Sequence, residues 1–482
     1  MDLKARAHQA MLDAGFKPDF PPEVTGAVAA LKRNGSPKPV DGVRDLRALL
    51  WSSIDNDTSR DLDQIEAVER LADGSTRLLI GIADVDSLVP KGSAPDLQAA
   101  LETTSVYTGV ATFPMLPGEL STDMTSLVGD QDRCAIIIEL VVQPSGEVTR
   151  HSVYPALVRN RAKLAYSSTG AWLEGRGPIP PPVAAVQGME DQLRTQLELS
   201  TRLRELRKKQ GALTFGSIEP VPVIDHGEVK DLTVTPHNVA QDIIESFMVA
   251  ANVAMALYLS EKSCPSIRRV VRTPRRWDRI RQIAAGFGVT LPPTPDSRAL
   301  CDFLDHRRAA DPLHFPDLSL SVVKLLGPGE YVMGAPGGEQ EGHFGLAVHD
   351  YTHSTAPNRR FADLVTQRLL KAAAAGQSCA YSESELEQIA ARCTEREDAA
   401  RKVERLMRKI VAASALSNRI GEIFDGLVTG ASPKGTYARL LKFPAEGRVI
   451  RGMQGIDVGD RIRVRLVSVD VGKGFIDFER VQ

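Results

Sequence analysis

Apolar side chains recur at three- and four-residue spacing in two short blocks at the start of the chain, and the pattern predicts helices over 3–14 and 22–33. The first stops at Gly15, a favoured C-terminal cap. The second opens on Pro21-Pro22, spaces Val24, Val28 and Leu31 along one face, and stops at Asn34-Gly35. This pair serves either as a helix-turn-helix accessory or as an N-terminal brace. Gly35 to Asp41, rich in Pro and Ser, reads as a linker. From Leu46 the pattern becomes mixed: a strand-like run meets a hairpin-type turn at Asp73-Gly74 and returns as Arg77 to Val85. Cys134 to Val142 is a further strand, too continuously apolar for an exposed edge. After the punctuation of Pro178 to Pro182, a helix is expected over 184–209, with Leu193, Leu197, Leu203 and Leu206 as its buried stripe. Further helices are expected over 238–261 and 383–418, the latter charged on one face.

The pattern changes again near residue 422. Gly426 to Gly430 leads into short alternating strands, Tyr437 to Leu441, Gly447 to Ile450, Arg461 to Val469 and Gly474 to Phe478, separated by glycine turns. Five short strands in about sixty residues suit a small closed barrel of the OB-fold type. The expected fold class is therefore α+β. A mixed-sheet domain surrounded by helices covers 46–420, an all-β OB-fold barrel covers 422–482, and a small helical segment covers 1–40.

Composition adds bounds. With 482 residues, 43% hydrophobic and 25% charged, the chain has enough apolar content for several packed domains. Its net charge of −2 gives no global attraction to nucleic acid, so any polyanion site must be a local concentration of Lys and Arg. Five cysteines, at 134, 264, 301, 379 and 393, are odd in number and widely spaced, which points to reduced thiols and away from a zinc ribbon. The longest apolar run singled out, Ala135 to Val142, is short and contains Glu139, and Met1-Asp2-Leu3-Lys4 lacks a signal-peptide core. A cytoplasmic monomer, with no membrane partner, is the expectation.

Several stretches carry candidate chemistry. Ser53 to Gln64 places acidic side chains at 55, 57, 61 and 63, and carboxylates so crowded repel unless a cation or strong hydrogen bonds neutralise them. The stretch is either a solvated acidic turn or a cation-binding floor. Residues 268–281 hold seven arginines against Asp278, with Trp277 among them, which suits either an RNA entrance or a solvated face. In the barrel, Lys434, Tyr437, Arg439 and Lys442 offer stacking and phosphate pairing, although Tyr437 equally suits a cap on the barrel core. His349 and His353, four apart, raise a zinc hydrolase, but Asp350 stands where such a motif has Glu and Pro357 soon interrupts.

Ile54-Asp55 to Asp63, Ile82 to Val85, Thr104 to Tyr107, Pro114 to Ser121, His343 to Ala347 and Tyr351 to Leu364 occur together in an order that resembles the catalytic domain of the ribonuclease II and ribonuclease R family. The terminal barrel resembles the RNA-binding module that follows it there, so the likeness covers roughly 46–482. It implies a processive exoribonuclease that threads single-stranded RNA 3′ end first and releases nucleoside 5′-monophosphates with Mg²⁺. Asp55, Asp61 and Asp63 match the family's catalytic, metal-binding aspartates, and Gln64 stands where a fourth aspartate is usual. An amide oxygen there can still coordinate Mg²⁺ but adds no charge. Arg359 matches the family's catalytic arginine, with Arg360 beside it suited to the adjacent phosphate or to an ion pair with Asp363. Tyr166, Glu245 and Arg269 match or lie next to family positions that contact RNA, while Tyr437 and Arg439 are the barrel's candidates. Gln64 also keeps open a noncatalytic RNA-binding protein on a disabled nuclease domain.

Overall fold

The computed structural model describes residues 2–34, 43–216, 220–225, 228–234, 236–338, 341–432, 435–443 and 445–481. The linker expected at 35–41 and the candidate Lys434 lie outside them. The central sheet runs in the order Arg44–Asp45, Val148–Ala165, Trp51–Asp55, Gln64–Arg70, Thr76–Ala83 and Asp132–Val142, and the last strand also pairs with Val148–Ala165. That 18-residue strand is antiparallel to Asp132–Val142 through its first two thirds and parallel to Trp51–Asp55 at its end. The handover sets Ala165 beside Asp55, so Tyr166 emerges next to the acidic stretch.

The expected hairpin forms at Asp73-Gly74. Gly74 takes φ 83°, where a Cβ is disfavoured, and Asp73 accepts from the Ser75 N–H and hydroxyl. Strand Thr76–Ala83 is buried almost throughout, because strands flank it on both edges and helices cover the sheet. Helix Phe361–Ala374, buried without interruption from Phe361 to Leu370, packs into the same core as Trp51, Ile65, Leu79 and Ile137. Helix Met189–Lys209 starts later than expected, after a separate turn Pro181–Ala184, and buries Leu193, Leu199 and Leu203 while Leu197 and Leu206 stay half-buried.

Helix Val239–Glu261 is, by length and composition, apolar enough to cross a bilayer, with a mean hydropathy of 1.6 over its most apolar window. The sequence pattern gives a helix at 238–261 but singles out only Ala135 to Val142 as a long apolar run. Its apolarity has a packing cause: Ile243, Phe247, Ala251, Met255 and Leu259 are in the central core.

Helix Glu383–Leu416, 34 residues long and opened by a Ser382/Glu385 capping box, is the spine that joins the parts. Ala400, Val403 and Met407 meet Leu3, Ala7 and Met11 of helix Leu3–Asp13, and its C-terminal half shares that cluster with barrel residues Val428, Val464 and Phe478. Helix Pro22–Asn34 sends Val28 into the central core. Both N-terminal helices therefore pack against the rest of the protein. Strands Ile423–Ser432, Gly435–Leu440, Glu446–Arg451, Arg461–Asp470 and Phe475–Val481 close into a barrel. A three-helix insert, Trp277–Gly286, Ser297–Ala310 and Phe315–Leu326, has its own core of Ile280, Leu300, Phe303, Leu304 and Val322, and the sequence reading left it unassigned.

Candidate active site

Asp55 ends strand Trp51–Asp55, and Gln64 begins the next, so the acidic stretch is a loop between adjacent strands. Short-range bonds shape it. Asp55 accepts from the Asn56 N–H (2.7 Å) and the Ser59 hydroxyl (2.8 Å), and Lys163 donates to the Ser59 carbonyl (2.7 Å). The return limb is clamped from outside: Ser126 donates to the Arg60 carbonyl and accepts from the Leu62 N–H, while the Leu127 N–H reaches the Leu62 carbonyl. Asp57 is exposed and accepts from Ser167, a loop fastening away from the buried floor.

Asp63 is the buried end of this loop, 2% exposed. Its Oδ1 accepts the Asn358 N–H (3.1 Å) and its Oδ2 the Arg359 Nε–H (3.3 Å). Asn358 is fixed in turn by the Thr125 hydroxyl (2.6 Å), and the Arg359 carbonyl accepts the Ser105 N–H (3.0 Å). Motifs scattered across the sequence, at 55–63, 104–107 and 356–360, thus meet at one place.

Burial pushes the Asp63 carboxyl up to about 7 against the pull of Arg359 and the Asn358 N–H, and burial also raises Asp61. Arg359 keeps its side chain 44% exposed, so its guanidinium tip faces the open cavity that it lines with Tyr107. Tyr107 is held up near 12 by burial, against the pull of Arg359 and with smaller contributions from Asp61, Asp63 and Asp55. Tyr166 is raised chiefly by burial and then by Asp55 and Glu66. Tyr107 and Glu66 were not among the sequence candidates. Tyr107 ends the Thr104 to Tyr107 stretch, where an aromatic ring beside the family motif is the available signal. Glu66, fully buried with neither carboxylate oxygen hydrogen-bonded, looked like one polar position of an alternating strand.

The other candidates scatter. Gln64 is 7% exposed and pairs through its backbone with Ile82. Because regular strand geometry begins only at Gln64, alternation does not govern its direction relative to Asp63. Arg360 gives two hydrogen bonds to Asp363, at 2.9 and 2.7 Å, so the ion-pair alternative is the one that forms. Arg269 does not face an entrance. It is 7% exposed, makes a two-pronged bond to Glu397 at 2.5 and 2.9 Å, and lies over the Tyr331 ring. The rest of the tract is mixed: Arg268 is buried on Asp350, Arg272 is exposed and pairs with Glu330 and Glu341, Arg281 pairs with Asp278, and Arg275, Arg276 and Arg279 are exposed. A buried guanidinium needs a carboxylate, and the two buried members, Arg268 and Arg269, have one each in Asp350 and Glu397.

Glu245 is exposed near the start of helix Val239–Glu261, grouped with His237 and Asp242 rather than with the aspartates. Arg439 pairs with Asp317 at 2.9 Å and ties the barrel to the three-helix insert, whereas Tyr437 is 40% exposed on the barrel and does not cap its core. The zinc motif fails geometrically: residues 349–353 are not helical, and His353 Nδ1 faces the Tyr331 hydroxyl at 2.9 Å.

The fit to a hard cation rests on the donors. Asp55, Asp61 and Asp63 offer only oxygen, as Mg²⁺ prefers, and one of them is a buried carboxyl held largely by one arginine and one amide. The three are not drawn into a closed ligand set; among the described residues the His237, Asp242 and Glu245 group alone has all its ligand atoms within 4.8 Å. Asp242 there is already engaged by Arg204 and His237.

Comparisons with known proteins bear on the family and the fold. The RNB domain matches residues 43–376, and the RNase II-type exonuclease C-terminal S1 domain matches 422–481. Ribonuclease R of Thermotoga maritima is 28% identical, with 96% of this chain and 68% of that protein covered. Ribonuclease R of Escherichia coli is 27% identical, with 96% and 60% covered. Among solved structures, Mycoplasma genitalium RNase R in complex with ribose-methylated single-stranded RNA superposes with a TM-score of 0.89 at 22% identity, covering 100% of this chain and 78% of that one. Yeast Ssd1, a pseudonuclease, shares the fold with a TM-score of 0.72 at 16% identity, over 98% and 57%.

Proposed function

The chain belongs to the RNB-domain family of exoribonucleases, and from that premise we propose that it degrades single-stranded RNA processively, 3′ end first, to nucleoside 5′-monophosphates with Mg²⁺ held by Asp55, Asp61 and Asp63. The observation that carries this reading is Asp63, buried between the Asn358 N–H and Arg359 with Asp61 close enough to act on it. Mg²⁺ bound there would neutralise nonbridging phosphate oxygens and activate a water. The protein's own share is positioning. Arg359, braced on Asp63 through Nε, leaves its terminal nitrogens for two phosphate oxygens and for the charge that grows on them during displacement. Tyr107, lining the cavity with Arg359, and Tyr166, which follows the Ala165–Asp55 pairing, suit stacking on the last nucleotides, with Tyr437 a further stacking surface on the barrel.

The test is 5′-labelled single-stranded RNA incubated with the protein and Mg²⁺. A ladder shrinking from the 3′ end, abolished by chelator and by Asp63→Asn, is expected; an unlabelled RNA trap added after the start should not stop chains already engaged. Gln64 favours the alternative, a noncatalytic RNA-binding protein, and tight binding without shortening would establish it. We also place the protein in the cytoplasm as a monomer, to be checked by fractionation and light scattering.

A further inference from the structure

Cys264 and Cys379 are 115 residues apart in the chain, yet their sulfur atoms lie 2.6 Å from each other. All five cysteines are free thiols. Cys264 follows helix Val239–Glu261 and is positioned by its N–H, which donates to the Leu259 carbonyl after Ser263 turns the backbone to φ 51°. It is 9% exposed, while Cys379, in the loop between helices Phe361–Ala374 and Glu383–Leu416, is half-buried. Two residues past Cys264 begins strand Ser266–Val270, whose Arg269 grips Glu397 on helix Glu383–Leu416. Three residues past Cys379 stands Ser382, the cap of that same helix. A link between the sulfurs would therefore tie two segments that the Arg269–Glu397 pair already joins farther along.

We propose that Cys264 and Cys379 form a specific disulfide by exchange with small-molecule disulfides. Reaching a bond length of 2.03–2.05 Å requires the sulfurs to close by about 0.6 Å, within the reach of loop and rotamer adjustment. With glutathione disulfide, the Cys379 thiolate attacks one glutathione sulfur, forming the mixed disulfide and expelling one glutathione thiolate. The Cys264 thiolate then attacks the Cys379 sulfur and expels the second, and the two protons released by the cysteines end on the two glutathione thiols. Burial, reinforced by Cys379, pushes the Cys264 thiol up, so the more exposed Cys379 is the entry point and the second step is the slow one.

The test uses the full chain, reduced, desalted and incubated with glutathione disulfide at pH 8, then alkylated, digested under non-reducing conditions and analysed by mass spectrometry. A Cys264–Cys379 linked peptide is expected, with the thiol count of the unfolded chain falling by two from five. The unfolding midpoint should rise by a few degrees and return with dithiothreitol. Cys264→Ser and Cys379→Ser should each abolish the link, and Cys134→Ser should keep it. All five thiols remaining free, glutathione retained on Cys379 with no linked peptide, or a link to any other cysteine would each overturn the proposal. The wild-type peptide map alone decides it should a serine variant fail to fold.

Discussion

The most informative perturbation of this site is pH applied to metal binding. Asp63 in the metal-free protein has its carboxyl near 7, raised above all by burial. A cation ligand must be deprotonated, so binding Mg²⁺ has to displace whatever proton Asp63 carries. With a value of about 7, that is about 0.9 proton at pH 6, about 0.5 at pH 7 and about 0.1 at pH 8. Asp61, also raised by burial, adds to the count at the acid end. Affinity follows: each unit below 7 costs about 1.4 kcal/mol, so Mg²⁺ binding at pH 5 should be roughly a hundredfold weaker than its alkaline limit. Titration calorimetry in two buffers of different ionisation enthalpy reads the proton count directly, independent of any RNA. Asp63→Asn should remove the pH-7 release along with much of the affinity. No proton release at pH 7 in the wild type, or an unchanged count in Asp63→Asn, would refute the assignment of Asp63 to the cation.

The same shift has a stability consequence of determined sign. An aspartate raised from 3.8 to about 7 favours the native state most when both folded and unfolded forms are protonated, below about 3.8. As pH rises to 7, the unfolded chain ionises first and the native state loses about 4 kcal/mol from this group alone. Mg²⁺ should restore part of that at neutral pH. Its stabilising effect in thermal melts should therefore be larger at pH 7.5 than at pH 5.

Removing Arg359 tests positioning of the phosphate: Arg359→Ala should lower single-turnover cleavage by about 10²–10³-fold, and a loss under threefold would exclude it from the transition state. Glu397→Ala strands a buried Arg269 and should cost about 3–5 kcal/mol in urea unfolding with KM for RNA little changed; a raised KM at unchanged stability would return Arg269 to an RNA entrance. Gln64→Ala should raise the Mg²⁺ concentration needed for half-maximal cleavage several-fold if its amide oxygen assists the cation, and unchanged metal dependence removes it from the site. A double-mutant cycle on Arg439 and Asp317 should give a coupling of about 1–3 kcal/mol in stability, whereas a change confined to RNA affinity would assign Arg439 to the ligand.

The parts of the fold that were readable in the sequence are those whose cause is local. Helices Leu3–Asp13, Val239–Glu261 and Glu383–Leu416 appear within a residue or two of expectation because their apolar spacing and capping residues lie within a few turns of each other. The Asp73-Gly74 hairpin and the barrel strands were readable because turn chemistry is written at the turn. The three-helix insert is not legible, since its apolar faces pair mainly with one another and with distant Leu213 and Phe344, and the arginine tract that runs into it reads as an RNA entrance or a solvated face.

The site divides along the same line. A cluster of carboxylates within nine residues is local, and its loop form between two strands is what Asp55 and Gln64 at the strand ends impose. Whether an arginine faces RNA or a buried acid depends on partners far away in the chain, Glu397 for Arg269 and Asp317 for Arg439, and no spacing rule reaches across 128 or 122 residues. Arg359 and Arg360 make the contrast sharpest. They are adjacent in sequence and equal in charge, yet Asp363 sits where it can take both prongs of one guanidinium, while Asp63 takes only the Nε–H of the other. Which of two neighbouring arginines can hold a phosphate is decided by which carboxylate leaves its terminal nitrogens free, and that is a property of the packed site rather than of the motif.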